Sequence, residues 1–256
     1  MERRDFIKGA VVGGSLLGAG MLSGVSDASA ASVAEGEKGN TPKRSLIIYA
    51  SRGNNTTMVA ERFKSTLEKN GWQCDMVKIA QNSDPMAVPF NYKDYDLICA
   101  GSGIRMHSPY VELLHVLRVP IYGYDPRIML KITEGIQLTD EDTKKMRASG
   151  GGAPNHGKIV LGPNAKKALA FATFGGYEFG PAEAQPALDW INLELAHLKV
   201  EIVGKFCCPG KFEPNNRPAG YYNDLTTRPN EKDLLRAELF IEQVLEAIAD
   251  RPSKTA

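Results

Sequence analysis

The chain has 256 residues, of which 43% are hydrophobic and 24% are charged, a composition typical of a globular protein with one substantial core. Lys and Arg number 31 against 30 Asp and Glu, so the formal net charge is only +1 at pH 7. This balance disfavours a nucleic-acid partner or an anionic membrane surface. The four cysteines show no C-x-x-C or Cys/His spacing, so we expect neither a zinc site nor an iron–sulfur cluster.

The first 30 residues predict an export signal. Arg3 and Arg4 precede a mildly apolar, glycine-rich stretch, and the small residues of an A-x-A site end at Ala30. This arrangement resembles a twin-arginine (Tat) signal, with cleavage expected near Ala30. The resemblance implies the Tat translocase as a partner and a periplasmic or otherwise extracytoplasmic location. Because that route carries folded proteins, it also suggests a cofactor bound before export.

Residues 31–44 are small and polar, and we expect a flexible leader there. A single domain is predicted over 45–250. The predicted strands cover 45–50, 72–79, 94–101, 168–176 and 200–208. The predicted helices run from the turn after residue 50 to 69, and over 108–119, 181–198 and 230–248. Ser108 is expected to begin the second helix and Asn230 to cap the last one.

Strands that alternate with helices are typical of a parallel sheet with helices on both faces. We therefore expect a flavodoxin-like doubly wound α/β fold, with five parallel strands in the order 2-1-3-4-5. An insertion at about 120–165 interrupts the alternation. It contains a capped helical piece and the glycine-rich run "GGGAPNHG", and its length indicates either a functional segment or disorder. His156 in that run is either a solvated loop histidine or part of a lid.

The first turn, in "YASRGNNTTMVA", concentrates small hydrogen-bonding residues between a strand and a helix. Ligands of such folds bind at the carboxyl ends of the strands, and a helix N-terminus attracts anions. Small residues let the backbone wrap a phosphate, and hydroxyl and amide side chains can donate to it. The predicted anion-binding residues are Ser51, Arg52, Gly53, Asn54, Asn55 and Thr56.

This turn resembles the FMN-phosphate loop of flavodoxins, whose usual form is S/T-x-T-G-N-T after an apolar strand. Asn55 and Thr56 match the final N-T pair, whereas Gly53 and Asn54 replace the usual Thr-Gly. The replacement removes one hydroxyl, for which Arg52 or Thr57 could compensate. The resemblance implies FMN as the cofactor.

Two later stretches resemble the other flavin loops of that family. The stretch "YDLICAGSGIRMHSPYVELLHVL" implies that Ser102, Gly103, Ile104, Arg105, Met106 and His107 border the isoalloxazine ring. The stretch "AFATFGGYEFGPA" implies that Thr173, Phe174, Gly175, Gly176 and Tyr177 face its other side. Tyr177 is the candidate ring-stacking residue, with Phe174 and Phe179 as rivals. The second loop has no aromatic residue, which leaves one flavin face to Met106 or to a substrate.

Arg105 and His107 depart from the acidic surroundings that low-potential flavodoxins place around the flavin. A positive charge near the ring should stabilise the anionic reduced flavin and raise its potential. Arg105 could instead point to solvent.

Three functions remain open from the sequence. The first is an exported FMN-binding electron carrier that serves a redox partner protein, for which we find no catalytic acid, base or nucleophile. The second is an FMN-dependent oxidoreductase acting on a small molecule such as a quinone. "ASRGNNT" and "GSGIRMHSPY" are similar to the flavodoxin-like protoporphyrinogen oxidases, and a quinone-reductase-like activity fits the same reading. The third is a binding module that has lost its flavin.

Overall fold

The structure is a computed structural model that describes residues 42–148, 166–176, 179–212 and 225–250. The predicted export signal, His156 and Tyr177 lie outside these described residues, as does most of the predicted leader.

One sheet runs through the described part of the chain. Its strands are β1 (Arg44–Ala50), β2 (Gln73–Ile79), β3 (Leu97–Arg105), β4 (Ser108–Pro109), β5 (Lys167–Phe174) and β6 (Glu201–Pro209). Five of them are parallel and lie in the order β2-β1-β3-β5-β6, while the two-residue β4 pairs antiparallel with β3. With β4 set aside, this is the predicted order 2-1-3-4-5. The chain therefore has a flavodoxin-like doubly wound α/β fold.

Helices cover both faces of the sheet, as predicted. They are α1 (Asn55–Lys69), α2 (Val111–Tyr122), α3 (Arg127–Thr133), α4 (Asp140–Ala148), α5 (Gln185–His197) and α6 (Glu231–Ala249). The expected cap of the last helix is present, since Asn230 accepts from the N–H of Asp233 and the Asp233 carboxylate accepts from the N–H of Asn230.

The core consists of two layers separated by the sheet. On one face, Leu113 and Leu117 of α2 pack with Ile191 of α5. On the other face, Phe63 of α1 lies against Phe171 of β5, with ring centroids 5.0 Å apart. Alternate residues of each buried strand supply the two layers, which explains why the strands read as continuous apolar runs.

The start of the second helix differs from the prediction. The helix begins at Val111 and not at Ser108, because residues 108–109 form β4 and turn back along the end of β3. Met106 (φ 50°) and His107 (φ 64°) make the reversal, and two successive positive φ values match a tight two-residue hairpin turn. The hairpin was not predicted, because the turn has none of the Asn-Gly, Asp-Gly or Gly-Gly pairs typical of such turns.

The described part of the insertion forms α3 and α4. The Lys131 ammonium lies 2.8 Å from the Asp142 carboxylate and joins the two helices. The Thr139 N–H and hydroxyl donate to that carboxylate as well, so the predicted capped helical piece is present. Residues 149–165, with the glycine run, lie outside the description.

Candidate functional site

A cleft with a volume of about 590 Å³ opens at the carboxyl edge of the sheet. The strand register brings its walls together, because Ala50 lies opposite Ser102 and Gly103 lies opposite Thr173. The predicted site residues that line the cleft are Ser51, Arg52, Gly53, Asn55, Thr56, Gly103, Ile104, Arg105, Met106, His107, Thr173, Phe174, Gly175 and Gly176. Two of the predicted residues that the structure describes do not line it, and a third is not described. Asn54 borders a neighbouring cavity, Ser102 is fully buried, and Tyr177 is not described.

The first wall is the turn between β1 and α1. The Ser51 hydroxyl donates to the Gly53 carbonyl at 2.7 Å and tightens the turn. Asn54 is the N-cap of α1, but its side chain makes no capping hydrogen bond, and the first turn contains no acidic residue. The Thr57 hydroxyl oxygen in that turn is buried without a hydrogen-bond partner. The N-terminus of α1 therefore carries the positive end of a helix dipole that no acidic residue offsets, and main-chain N–H groups there have no side-chain partner. Both features favour binding of an anion.

Arg52 extends away from that turn towards the start of α2. Its guanidinium lies 2.6 Å from the Glu112 carboxylate and 4.7 Å from the centroid of the Tyr110 ring. The second oxygen of Glu112 is buried and has no hydrogen-bond partner. Burial raises the pKa of Tyr110, so its hydroxyl stays protonated at neutral pH. Of the two residues expected to compensate for the missing hydroxyl, Arg52 is thus engaged with Glu112, and Thr57 does not line the cleft.

The second wall is built on Ser102, although that residue does not line the cleft. Its hydroxyl donates to the Gly103 carbonyl at 2.6 Å and accepts from the Tyr110 N–H at 2.8 Å. Gly103 makes room for the tyrosine, because a Cβ there would lie 2.8 Å from a ring carbon of Tyr110. Ser102 therefore positions the loop, and Tyr110, which the sequence reading missed, supplies part of the cleft surface.

The hairpin beyond this wall carries Arg105, Met106 and His107, all exposed. Arg105 makes no ion pair with any residue in the described part of the chain. Arg105, the cation predicted in the second loop, lines the cleft. Met106 follows it in the chain and also lines the cleft, with 87% of its surface exposed.

The third wall follows β5. Thr173 is joined to Thr56 by a hydrogen bond of 2.8 Å between their hydroxyl oxygens. Phe174 is only 1% exposed and packs in the core, so burial prevents its ring from stacking on a ligand. Phe179, the other rival of Tyr177, is 63% exposed and lines the cleft. Gly176 lies against the Glu183 carboxylate, because a Cβ there would come within 1.8 Å of it.

A fourth wall was not predicted. Lys211 and Phe212 follow β6 and line the cleft, and the Asn55 side-chain amide donates to the Lys211 carbonyl at 3.3 Å. Phe212 packs on Gly175, where a Cβ would lie 3.0 Å from the phenylalanine Cβ. The predicted strand order could have identified Lys211 and Phe212, because β6 neighbours β5 and both strands end at the same edge of the sheet.

The described lining residues carry more positive than negative charge. The cations are Arg52, Arg105 and Lys211, and Glu183 is the carboxylate among them. Within the described ranges, His, Cys, Asp and Glu form no cluster that could hold a metal ion. No helix in those ranges is both long and apolar enough to span a membrane.

Comparison with solved structures returns proteins of the same architecture at low identity. A flavodoxin from the domain Archaea is 14% identical over 80% of this chain and 99% of its own, with a TM-score of 0.42. A flavone reductase is 12% identical over 81% of this chain and 63% of its own, with a TM-score of 0.49. The flavodiiron protein from Giardia intestinalis is 15% identical over 81% of this chain and 36% of its own, with a TM-score of 0.45.

No protein-family model and no curated protein sequence matches the chain. The fold assignment rests on the strand order of the sheet.

Proposed function

We propose that the chain binds FMN non-covalently in this cleft and works as an electron-transfer flavoprotein outside the cytoplasm. The observation that carries the proposal is the head of α1. It lacks a side-chain cap and an acidic first turn, and it adjoins a cleft walled by successive strand ends. A phosphate monoester would satisfy the spare donors.

The residues present fit the two parts of FMN. The phosphate would be held by the main-chain N–H groups of residues 53–57. The ring would lie against the backbone of Gly103 and Gly175, inside an exposed rim that includes Met106 and Phe179. When bound, the flavin ring supplies the exchange of one or two electrons. The chain would set the charge around it.

Titration with FMN and with riboflavin tests this proposal, because riboflavin lacks the phosphate. We expect FMN to bind more tightly than riboflavin. Gly53 lines the cleft, so Gly53→Asp should weaken FMN binding at least about fivefold by placing a negative charge beside the phosphate, and leave riboflavin binding unchanged. Ser65→Asp is the matched control, since it adds the same charge at an exposed position of α1 outside the cleft. Absence of flavin binding would contradict the proposal and leave a flavin-free binding module. Equal affinity for both flavins would contradict the assignment of the phosphate to the head of α1.

The extracytoplasmic location is supported by the twin-arginine resemblance at Arg3 and Arg4. Replacing both arginines by lysine should trap the folded protein in the cytoplasm, whereas the unaltered chain should reach the periplasm. Equal distribution of both forms after cell fractionation would refute this part of the proposal.

An FMN-dependent oxidoreductase acting on a small molecule such as a quinone is the second candidate. The exposed Met106 and Phe179 favour it, because they give the cleft apolar surface that a small ring compound could contact. The described part of the insertion does not contribute, since no residue of α3 or α4 lines the cleft. Steady-state turnover of quinones with NAD(P)H would identify an enzyme, and exchange with a redox protein alone would identify a carrier.

A further inference from the structure

We propose that the mouth of the cleft is a binding site for planar aromatic anions, and that this is the class of small-molecule redox substrate the protein takes. By the mouth we mean the exposed lining residues Arg105, Met106, His107, Phe179, Lys211 and Phe212. The inference rests on the proposed function, because a bound flavin would fill the floor of the cleft and leave these residues around its opening.

The apolar part of the mouth comes from three separate segments. Met106 stands on the β3–β4 hairpin, Phe179 precedes α5, and Phe212 follows β6. All three are exposed, although they line a concave surface. Exposed apolar side chains gathered at one concavity indicate a ligand that covers them, and the two phenylalanine rings suit a flat ring system.

The charged part of the mouth selects the sign of the ligand. Arg105 and Lys211 are permanent cations. Arg52 is also exposed, but Glu112 at 2.6 Å offsets its charge, so it adds little to the field at the opening. Glu183 is the carboxylate among the described lining residues, and it is less exposed than Arg105. A negative group beside an aromatic ring therefore matches the mouth better than a neutral or cationic one.

The hairpin fixes where the cation and the apolar side chain stand. Arg105 pairs with Ser108 in the antiparallel ladder, and Met106 and His107 form the tight turn immediately beyond. A turn closed by ladder pairing presents these neighbouring side chains from a defined backbone. This arrangement favours a small ligand whose ring contacts Met106 while its charged group contacts Arg105.

Binding of two redox-inert probes tests the inference without any turnover. Naphthalene-2-sulfonate carries a negative charge, and naphthalene-2-sulfonamide has the same ring but is neutral. On the FMN-loaded protein at low ionic strength, we expect the sulfonate to bind at least about threefold more tightly, as one or two exposed ion pairs allow. The preference should shrink as added salt screens the charges. The probes should not release FMN, whose fluorescence reports displacement.

Arg105→Gln, combined with Lys211→Gln, should remove the preference for the sulfonate and leave sulfonamide binding unchanged. The matched control is Lys144→Gln combined with Arg147→Gln, because both residues are exposed on α4, outside the cleft, and the pair of substitutions removes the same two charges. Equal affinity for the two probes, or a preference that survives the double substitution, would overturn the inference and assign the mouth to another partner.

The same measurements on flavin-free protein separate this inference from the proposed function. If FMN does not bind but the sulfonate preference depends on Arg105, the FMN proposal fails and the aromatic-anion site stands. If FMN binds and the preference is missing, the aromatic-anion site fails and the FMN proposal stands.

Discussion

The hydroxyl oxygens of Thr56 and Thr173 lie 2.8 Å apart and are buried, so one hydrogen bond joins the first turn of α1 to the end of β5. These two residues are 117 positions apart in the sequence. Their bond fixes the first and third walls of the cleft relative to each other. Both were predicted as ligand contacts, and both line the cleft. Because their hydroxyls also bond to each other, the pair stabilises the fold as well.

We expect Thr173→Val to destabilise the fold by about 1 kcal/mol, because it leaves the buried Thr56 hydroxyl without its partner. Thr56→Val should have a similar effect. The double variant should lose less stability than the sum of the two single variants, since both polar groups are then removed. Urea unfolding of the three variants measures this coupling, and strictly additive losses would show that the two hydroxyls do not interact.

The charges at the cleft predict opposite shifts in the potential of bound FMN. Arg105→Gln removes a cation that favours the reduced flavin's negative charge, so the midpoint potential should fall. Glu183→Gln removes a carboxylate next to Gly176 and should raise it. Shifts of roughly 10–30 mV correspond to about 0.5–1.4 kcal/mol for a two-electron couple. Shifts of the same sign in a redox titration would mean that at least one of the two charges does not act on the ring.

Periodicity and turn chemistry were enough to predict the sheet order, because each buried strand is a short apolar run with a helix pattern after it. The N-cap at Asn230 was also readable, since its signal is local. The hairpin at Met106 and His107 was not predicted, because the turn lacks glycine and methionine has no preference for positive φ. Pairing with β3 compensates for the strain, and pairing partners are not visible in a local pattern.

The cleft shows the same division between local and long-range information. The loops after β1, β3 and β5 carry recognisable residue patterns, and the structure places them together. Tyr110 and Phe212 have no such pattern and enter the cleft through packing on Gly103 and Gly175. Arg52 was expected to contribute to anion binding, but its guanidinium is held by the Glu112 carboxylate and the Tyr110 ring. Contacts made 60 residues away along the chain, such as that of Arg52 with Glu112, depend on the tertiary fold.

Two glycines near the cleft should respond differently to alanine. At Gly101 a Cβ would lie 2.1 Å from a ring carbon of Phe171, which is fully buried and cannot move aside. We expect Gly101→Ala to cost about 1–3 kcal/mol of unfolding free energy through overpacking. At Gly53 a Cβ would meet no atom within 4 Å, so Gly53→Ala is the control and should change stability little. Equal losses in denaturant titrations would show that the space at Gly101 is not limiting.

The ion pair between Arg118 and Glu194 ties α2 to α5. Two guanidinium nitrogens of Arg118 donate to one carboxylate oxygen of Glu194 at 2.8 and 2.6 Å, and the glutamate side chain is only 4% exposed. Glu194→Ala would leave the mostly buried arginine without its counter-charge, at a cost of about 2–4 kcal/mol. Thermal and urea unfolding measure this loss. The control is Glu141→Ala on α4, whose exposed pair with Lys145 should contribute nothing measurable.

His115 predicts a loss of stability at mildly acidic pH. It is 9% exposed, its Nε2 atom is buried without a hydrogen-bond partner, and burial, reinforced by the nearby charge of Arg118, lowers the pKa of its imidazole. The unfolded chain takes up a proton at His115 as the pH falls through about 6.5, whereas the folded chain resists it. Stability should therefore decline as the pH drops from about 6.5 towards the lower folded pKa.

Urea unfolding over a pH series tests this prediction through His115→Gln. The substitution should flatten the stability profile in that range, whatever its effect on stability at neutral pH. His107→Gln is the control, because His107 is exposed on the hairpin. The Asp142 carboxyl affects stability only at lower pH. Its hydrogen bonds with Lys131 and Thr139 lower its pKa to about 2, so its contribution to stability is lost as the pH falls towards that value. A profile that declines equally in the His115→Gln variant would assign the acid sensitivity to other groups.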